Sequence, residues 1–175
     1  MTKALIVYSS VHGQTVKICE YLKQKLSDLG EHVTLCNIQD NPDLAGFDKV
    51  MIGASIRHGK HNPAVYEFIS RNQAQLEAKP NCFFAVSLVA RKPEKNTPET
   101  NPYMQAFLQK TTWRPAQIEV LGGNLNYQGY GPMDRNIIRF IMWVNKGPTE
   151  LHTNVEYTDW QKVDALAEAF HQQAN

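Results

Sequence analysis
The chain has 175 residues, 42% hydrophobic and 20% charged, with a formal net charge of +1. That is enough for one domain with a full core, and a balance so near neutral creates no field toward nucleic acid or toward strongly charged partners. Cys19, Cys36 and Cys82 are odd in number, widely spaced and set among apolar residues, a pattern of packed thiols in a reducing compartment rather than of a disulfide or zinc site. No segment is long and apolar enough to span a bilayer, and the leading apolar run is too short for a signal peptide, so a cytoplasmic protein is expected, with contact to a membrane surface left open.

The first element is Ala4-Leu5-Ile6-Val7-Tyr8, a continuous apolar run expected of a strand buried on both faces of a parallel sheet. It breaks into Ser9-Ser10-Val11-His12-Gly13-Gln14-Thr15, and a helix follows with Ile18, Cys19, Leu22, Leu26 and Leu29 on one face. Such a strand–loop–helix aims free N–H groups and a positive dipole end at one spot, which suits phosphate. With no Gly-Lys-Ser/Thr it is not a Walker loop, and with Gly13 as its one glycine it is not a dinucleotide turn. Hydroxyl donors in place of lysine favour a monophosphate, while an ordinary turn with a helix cap remains the plain alternative.

His32 to Ile38 reads as a second strand, and Lys49 to Ala54 as a third, leaving by a loop from Ser55 to His61. Asn62-Pro63 caps a helix running to about Ala78. Cys82 to Leu88 is a fourth strand, with a polar exit from Val89 to Thr100; Asn101-Pro102 opens another helix through about Thr112, and Ile118 to Gly123 is the fifth strand. Thr158-Asp159-Trp160-Gln161 has capping-box spacing, and Trp160, Val163, Leu166, Ala167, Phe170 and Ala174 share one face of a last helix. The alternation predicts a doubly wound α/β fold, a five-stranded parallel sheet in a single domain spanning 1–175, with a ligand outside the carboxyl ends of its strands.

One stretch exceeds this plan. Residues 124–157 form an insertion between the fifth strand and the last helix, with a helical pattern from Met133 to Lys146. Met133, Ile137, Phe140, Ile141 and Val144 form a stripe, and Arg135, Arg139 and Lys146 align on another face. Three uses fit this pattern: a docked core helix, a membrane-surface helix, or the wall of a site for an anionic substrate.

The loop Ser10-x-x-Gly13-x-Thr15 resembles the FMN-binding loop of flavodoxins, and the five-strand plan matches a flavodoxin-like fold over nearly the whole chain. The strings Ile52 to Arg57, Leu88 to Lys95, Trp113-Arg114-Pro115 and Glu156 to Trp160 resemble the menaquinone-dependent protoporphyrinogen oxidases (HemG family) of γ-proteobacteria. That resemblance implies an FMN enzyme that oxidises protoporphyrinogen IX to protoporphyrin IX in haem synthesis. It implies electron transfer to menaquinone or ubiquinone at the cytoplasmic face of the inner membrane, with the insertion helix against the lipid; a homo-oligomer is left open. Carried onto this chain, Ser9, Ser10, Val11, His12, Gly13, Gln14 and Thr15 would hold the FMN phosphate. Ser55, Ile56, Arg57, His58 and Gly59, with Ser87, Leu88, Val89 and Ala90, would border the flavin ring. These second and third loops offer Ile56 to His58, then Leu88 and Val89, where ordinary flavodoxins often carry aromatic residues. The substrate's propionates suit Arg57, Arg91, Lys92, Arg135 and Arg139. His12, His58 and His61 are the candidate proton acceptors, none distinguished by sequence. A flavodoxin-type electron carrier and an NAD(P)H-dependent FMN quinone reductase are the competing readings.

Overall fold
Short β-rich apolar runs, each closed by a polar turn, build the sheet in the computed structural model, which describes residues 1–173. Its strands are β1 (Lys3–Ser9), β2 (His32–Asn37), β3 (Lys49–Arg57), β4 (Lys60–His61), β5 (Asn81–Ser87) and β6 (Ile118–Gly122). The order is β2-β1-β3-β5-β6, all parallel, with β4 returning antiparallel along the end of β3. Strand order reverses between β1 and β3, the place where open α/β sheets leave a crevice for ligands. A separate antiparallel pair, β7 (Asn124–Asn126) and β8 (Asn154–Glu156), lies in the insertion.

The strands are apolar throughout because helices cover both sheet faces. Leu5, Val7, Val50, Ile52 and Phe83 pack on one side against Phe68 and Ile69 of α2 (Pro63–Glu77) and Met104 and Phe107 of α3 (Pro102–Lys110). Ala4, Ile6, Met51 and Phe84 pack on the other side against Ile18, Leu22 and Leu26 of α1 (Gln14–Asp28) and Val163, Leu166 and Phe170 of α5 (Trp160–Gln172). Gly53 is required where the Phe84 ring lies across β3: a Cβ there would fall within 3 Å of three ring carbons.

The Asn-Pro starts form as read. Asn62 Oδ1 accepts from the Ala64 N–H, and Asn101 Oδ1 from those of Tyr103 and Met104, with Pro63 and Pro102 in the first helical turn. Other expectations need correction. The strand expected to stop at Ala54 runs on to Arg57, because Ile56 and Arg57 pair with His61 and Lys60 through a two-residue turn. Both turn residues, His58 and Gly59, have positive φ (51° and 79°), as a tight hairpin requires. Asp159, not Thr158, caps α5 by accepting from the N–H groups of Gln161 and Lys162. Thr158 is drawn away to donate to Gly122 O and accept from Gln14 Nε2. Leu29 falls past the end of α1 and is exposed, and Ala174 lies outside the described residues.

The insertion carries a helix, α4 (Pro132–Val144), and a core of its own in which Leu125, Tyr127, Tyr130 and Met142 meet Leu88, Ile138 and Tyr157. The stripe read from sequence does not face this core. Met142 is buried and Ile138 packs with it, whereas Met133, Phe140 and Val144 face solvent. Ile138 and Met142 flank the more obvious Met133–Phe140–Val144 stripe, so periodicity alone did not single out the inner face.

Candidate functional site
At the carboxyl ends of β1, β3 and β5 the chain leaves a cleft, and α4 roofs it. The cleft is open to solvent at its mouth, and about 830 Å³ of space, that open mouth included, lies among its walls. Ser10, Val11, His12, Gln14 and Thr15 line it from the first loop, and Ser55, Ile56, Arg57, His58 and Gly59 from β3 and its hairpin. Ser87, Leu88 and Val89 contribute from the end of β5. Ser9, Gly13 and Ala90 belong to the same segments without lining the cleft.

The first loop folds as its residues dictate. Gly13 takes a left-handed conformation (φ 89°) and donates its N–H to Ser10 Oγ (3.1 Å), which turns the chain into α1. No side chain caps α1, so its first-turn N–H groups face the cleft end of the helix without a capping partner. The hydroxyl of Thr15, at the second position of α1, is buried and bonds no protein group among the described residues; the same holds for Ser55 near the end of β3. Leaving a buried hydroxyl unsatisfied costs about 1–3 kcal/mol, so two on one cleft wall mark places where a ligand supplies the partner. Thr15 with the open α1 N-terminus fits a phosphate group, and Ser55 with the β3 and β5 ends fits the polar edge of a ring system. Gln14 is turned to Thr158 instead.

Several lining residues were not singled out from sequence: Tyr103 of α3, Gly123 and Asn124 after β6, and Tyr130, Ile138, Met142 and Asn145 of the insertion; Ile141, a member of the stripe read from sequence, also lines the cleft. Tyr103 and Tyr130 bring to the cleft the aromatic rings that the second and third loops lack. The local signal for the insertion residues was the i, i+4 pair Ile138–Met142, masked by the equally apolar outer stripe.

Asp134, at the start of α4, is the other residue missed. Arg57 Nη2 donates to its Oδ1 (3.1 Å) and Oδ2 (3.2 Å), His58 Nε2 lies 3.0 Å from Oδ1, and His12 Nε2 lies 3.6 Å from Oδ2. One insertion carboxylate thus ties α4 to two of the cleft's loops. The Arg57 hydrogen bond, helped by His58, holds the Asp134 carboxyl below its ordinary range. His12 packs against Tyr130 with ring centroids 4.5 Å apart and planes tilted by 48°, and burial lowers its basicity against the opposing pull of Asp134.

The other expected cations are placed differently. Arg91 lines the cleft, but its Nη1 donates to Leu88 O (2.9 Å) and its Nη2 to Asn145 O (3.5 Å). Lys92 does not line it. Arg135 donates to Tyr127 O and Tyr130 O, and Arg139 to Thr149 O; both brace the backbone of the insertion and stand outside the cleft. Of the three histidines, His12 and His58 line the cleft, whereas His61 is sealed among Tyr66, Phe83 and Phe107.

The fold and the cleft define a flavodoxin-like protein. Residues 5–152 match the family model described as a flavodoxin domain. Two solved structures are similar over their whole lengths: oxidised flavodoxin 1 from Bacillus cereus (TM-score 0.58, 14% identity, covering 99% of this chain and 100% of that one) and a flavodoxin from the domain Archaea (TM-score 0.56, 13% identity, 98% and 97%). Identities this low speak for the fold alone. In sequence the chain is much nearer to protoporphyrinogen IX dehydrogenase (quinone) of Escherichia coli strain K12, at 41% identity over 94% of this chain and 92% of the relative. The enzyme of the same name from Leishmania major is 38% identical over 96% of this chain and 74% of its own length. The chain belongs to this family of quinone-dependent protoporphyrinogen IX dehydrogenases.

Proposed function
We infer that this chain oxidises protoporphyrinogen IX to protoporphyrin IX with the help of FMN and passes the electrons to a respiratory quinone, menaquinone or ubiquinone. The observation that carries the reading is the pair of unpartnered buried hydroxyls, Thr15 and Ser55, in a cleft at the sheet's switch point, in a chain 41% identical to a dehydrogenase of that name. When bound, the flavin supplies the electron acceptor. The chain's own residues do the rest. Ser10, Thr15 and the uncapped start of α1 hold the phosphate. Ser55 to Gly59 and Ser87 to Val89 border the ring, with Tyr103 and Tyr130 as flanking aromatics. Ile138, Ile141 and Met142 give the roof an apolar surface suited to a tetrapyrrole skeleton and keep water from the reacting carbons.

The substrate gives up more than one electron pair, so the site must be reachable by the quinone as well as by the tetrapyrrole. The outer face of α4 supports a peripheral membrane position, at the cytoplasmic face of the inner membrane. Met133, Phe140 and Trp143 are 74%, 62% and 68% exposed, with Arg139 and Lys146 beside them, the composition of a helix lying in a lipid interface. No helix among the described residues is long and apolar enough to cross a membrane. Three unpaired cysteines suit a reducing compartment.

The deciding experiment adds protoporphyrinogen IX and a quinone to the purified, yellow protein without oxygen and follows porphyrin fluorescence. Porphyrin formation that depends on the quinone is expected. A flavodoxin-type carrier would form none, and an NAD(P)H quinone reductase would instead lose its flavin colour on addition of NAD(P)H alone.

A further inference from the structure
Of the five cations that could meet a substrate carboxylate, Arg57 and Arg91 line the cleft, and of these two only Arg57 has its guanidinium free of backbone carbonyls among the described residues. Arg91, Arg135 and Arg139 spend theirs on backbone carbonyls, and Lys92 lies outside the lining. Arg57 meets Asp134 through a single nitrogen, Nη2, which touches both carboxylate oxygens at 3.1 and 3.2 Å. The strongest arginine–carboxylate geometry uses two nitrogens in parallel. Here Nε and Nη1 bond no protein group among the described residues, and Nη2 carries a second hydrogen, so a two-nitrogen donor set remains beside the Asp134 contact.

Both ends of the residue are nonetheless fixed. Its backbone is pinned in the β3–β4 hairpin by pairing with Lys60, and its guanidinium is held by a carboxylate whose side chain is only 12% exposed, while that of Arg57 is 53% exposed. An arginine restrained in this way loses little freedom on meeting a ligand. No acidic side chain lines the cleft among the described residues; the carboxylate beside Arg57 is Asp134 itself. His58 and His12 face Asp134 at 3.0 and 3.6 Å, and Tyr103 and Tyr130 are the adjoining phenols of the cleft.

We propose that Asp134 is a positioning residue: it holds Arg57 so that the remaining guanidinium donors meet a propionate carboxylate of the tetrapyrrole, and the pair makes the site select the acid over its ester. This rests on the dehydrogenase reading above. Asp134 comes from the insertion, so the element that roofs the cleft also sets which side-chain chemistry of the substrate is accepted.

The test compares protoporphyrinogen IX with its dimethyl ester as substrates of the FMN-loaded protein. It also compares protoporphyrin IX with its dimethyl ester as ligands, read by the shift of the porphyrin absorption band. In the unaltered protein the acid is expected to bind about ten- to hundredfold more tightly than the ester, the range of a charge-assisted pair. Arg57→Gln should bring that ratio to within about threefold of unity, and Arg57→Lys should restore it only in part, since lysine keeps the charge without the fork. Asp134→Asn should raise KM for the acid about tenfold and leave that for the ester in place. An equal loss for acid and ester in Asp134→Asn would mean that Asp134 merely fastens α4, and overturns the proposal, as does a ratio near one in the unaltered protein. If Asp134→Asn releases the flavin, Arg57→Gln decides alone, and an unchanged ratio there is fatal. Failure to oxidise either substrate would count against the dehydrogenase reading, while the porphyrin-binding ratio would still judge the Arg57–Asp134 pair.

Discussion
Thr15 and Ser55 carry hydroxyls that are buried without protein partners, and His61 carries two ring nitrogens in the same condition. The difference lies in what faces them. Thr15 and Ser55 belong to the cleft wall, where a ligand can supply the missing partner. Thr15→Val, nearly isosteric, and Ser55→Ala should each weaken FMN about tenfold, the weight of one hydrogen bond to a charged or polar acceptor, measured by quenching of flavin fluorescence on titration of the apoprotein. Ser10→Ala should cost less, since that hydroxyl already serves the Gly13 N–H; unchanged affinity in both Thr15→Val and Ser55→Ala would remove them from the site. His61, by contrast, is packed against aromatic rings, and burial pushes its pKa down to about 4. In the unfolded chain it titrates near 6.5, so between those values the unfolded state binds the extra proton and stability falls as pH drops. The full loss is about 3 kcal/mol, reached near pH 4. His61→Leu should flatten this dependence in urea titrations at pH 7 and pH 4.5; an unchanged slope would show that other groups govern the acid limb.

At the scale of elements, α4 has two apolar sides with different duties. Ile138 and Met142 join the insertion core and the cleft roof, while Met133, Phe140 and Trp143 remain in solvent. Arg135 and Arg139, which read from sequence as free basic charges, hold carbonyls of Tyr127, Tyr130 and Thr149. Reversing their charge would therefore disturb the insertion itself and say little about lipid. The outer aromatics are the cleaner probe. Phe140→Glu with Trp143→Glu should lower co-sedimentation with anionic vesicles at least about tenfold through lost apolar burial. Thermal stability should stay unchanged because neither ring is packed. Retained vesicle binding would dismiss the membrane role of this face, and a concentration-dependent dimer in the unaltered protein, abolished by the same pair, would assign it to a second copy of the chain.

For the whole molecule, the cofactor site is assembled from segments far apart in sequence: the β1 end, the β3–β4 hairpin, the β5 end and the insertion. A ligand that binds only when these are together stabilises the folded state by about 2.7 kcal/mol at a hundredfold excess over its Kd. For a chain of this length that corresponds to a rise in Tm of roughly 5–10 °C. Differential scanning of the apoprotein with and without FMN measures it, and no shift would argue against a folded-state cofactor site. The same assembly explains what could be read in advance. The strands and the Asn62 and Asn101 caps follow from local pattern and backbone chemistry, and the first loop's phosphate character follows from Gly13, Thr15 and the helix behind them. The Asp159 cap and the inner face of α4 escaped because each was decided by a partner elsewhere in the chain, Gly122 and Gln14 drawing Thr158 away, and Leu125 and Tyr127 selecting Met142; β4 is a local hairpin arm, but its two residues are too few to show a period.

By itself, then, the amino-acid order determined the alternating sheet-and-helix plan and the kind of group the leading loop would grip, because short-range periodicity and hydrogen-bond supply act within a few residues. Only the folded molecule decided that Asp134 would meet Arg57, His58 and His12, and which flank of the insertion helix would cover the cleft. Those pairings join residues more than 70 positions apart. Packing in three dimensions, not any local preference, brings such distant charges within hydrogen-bonding reach.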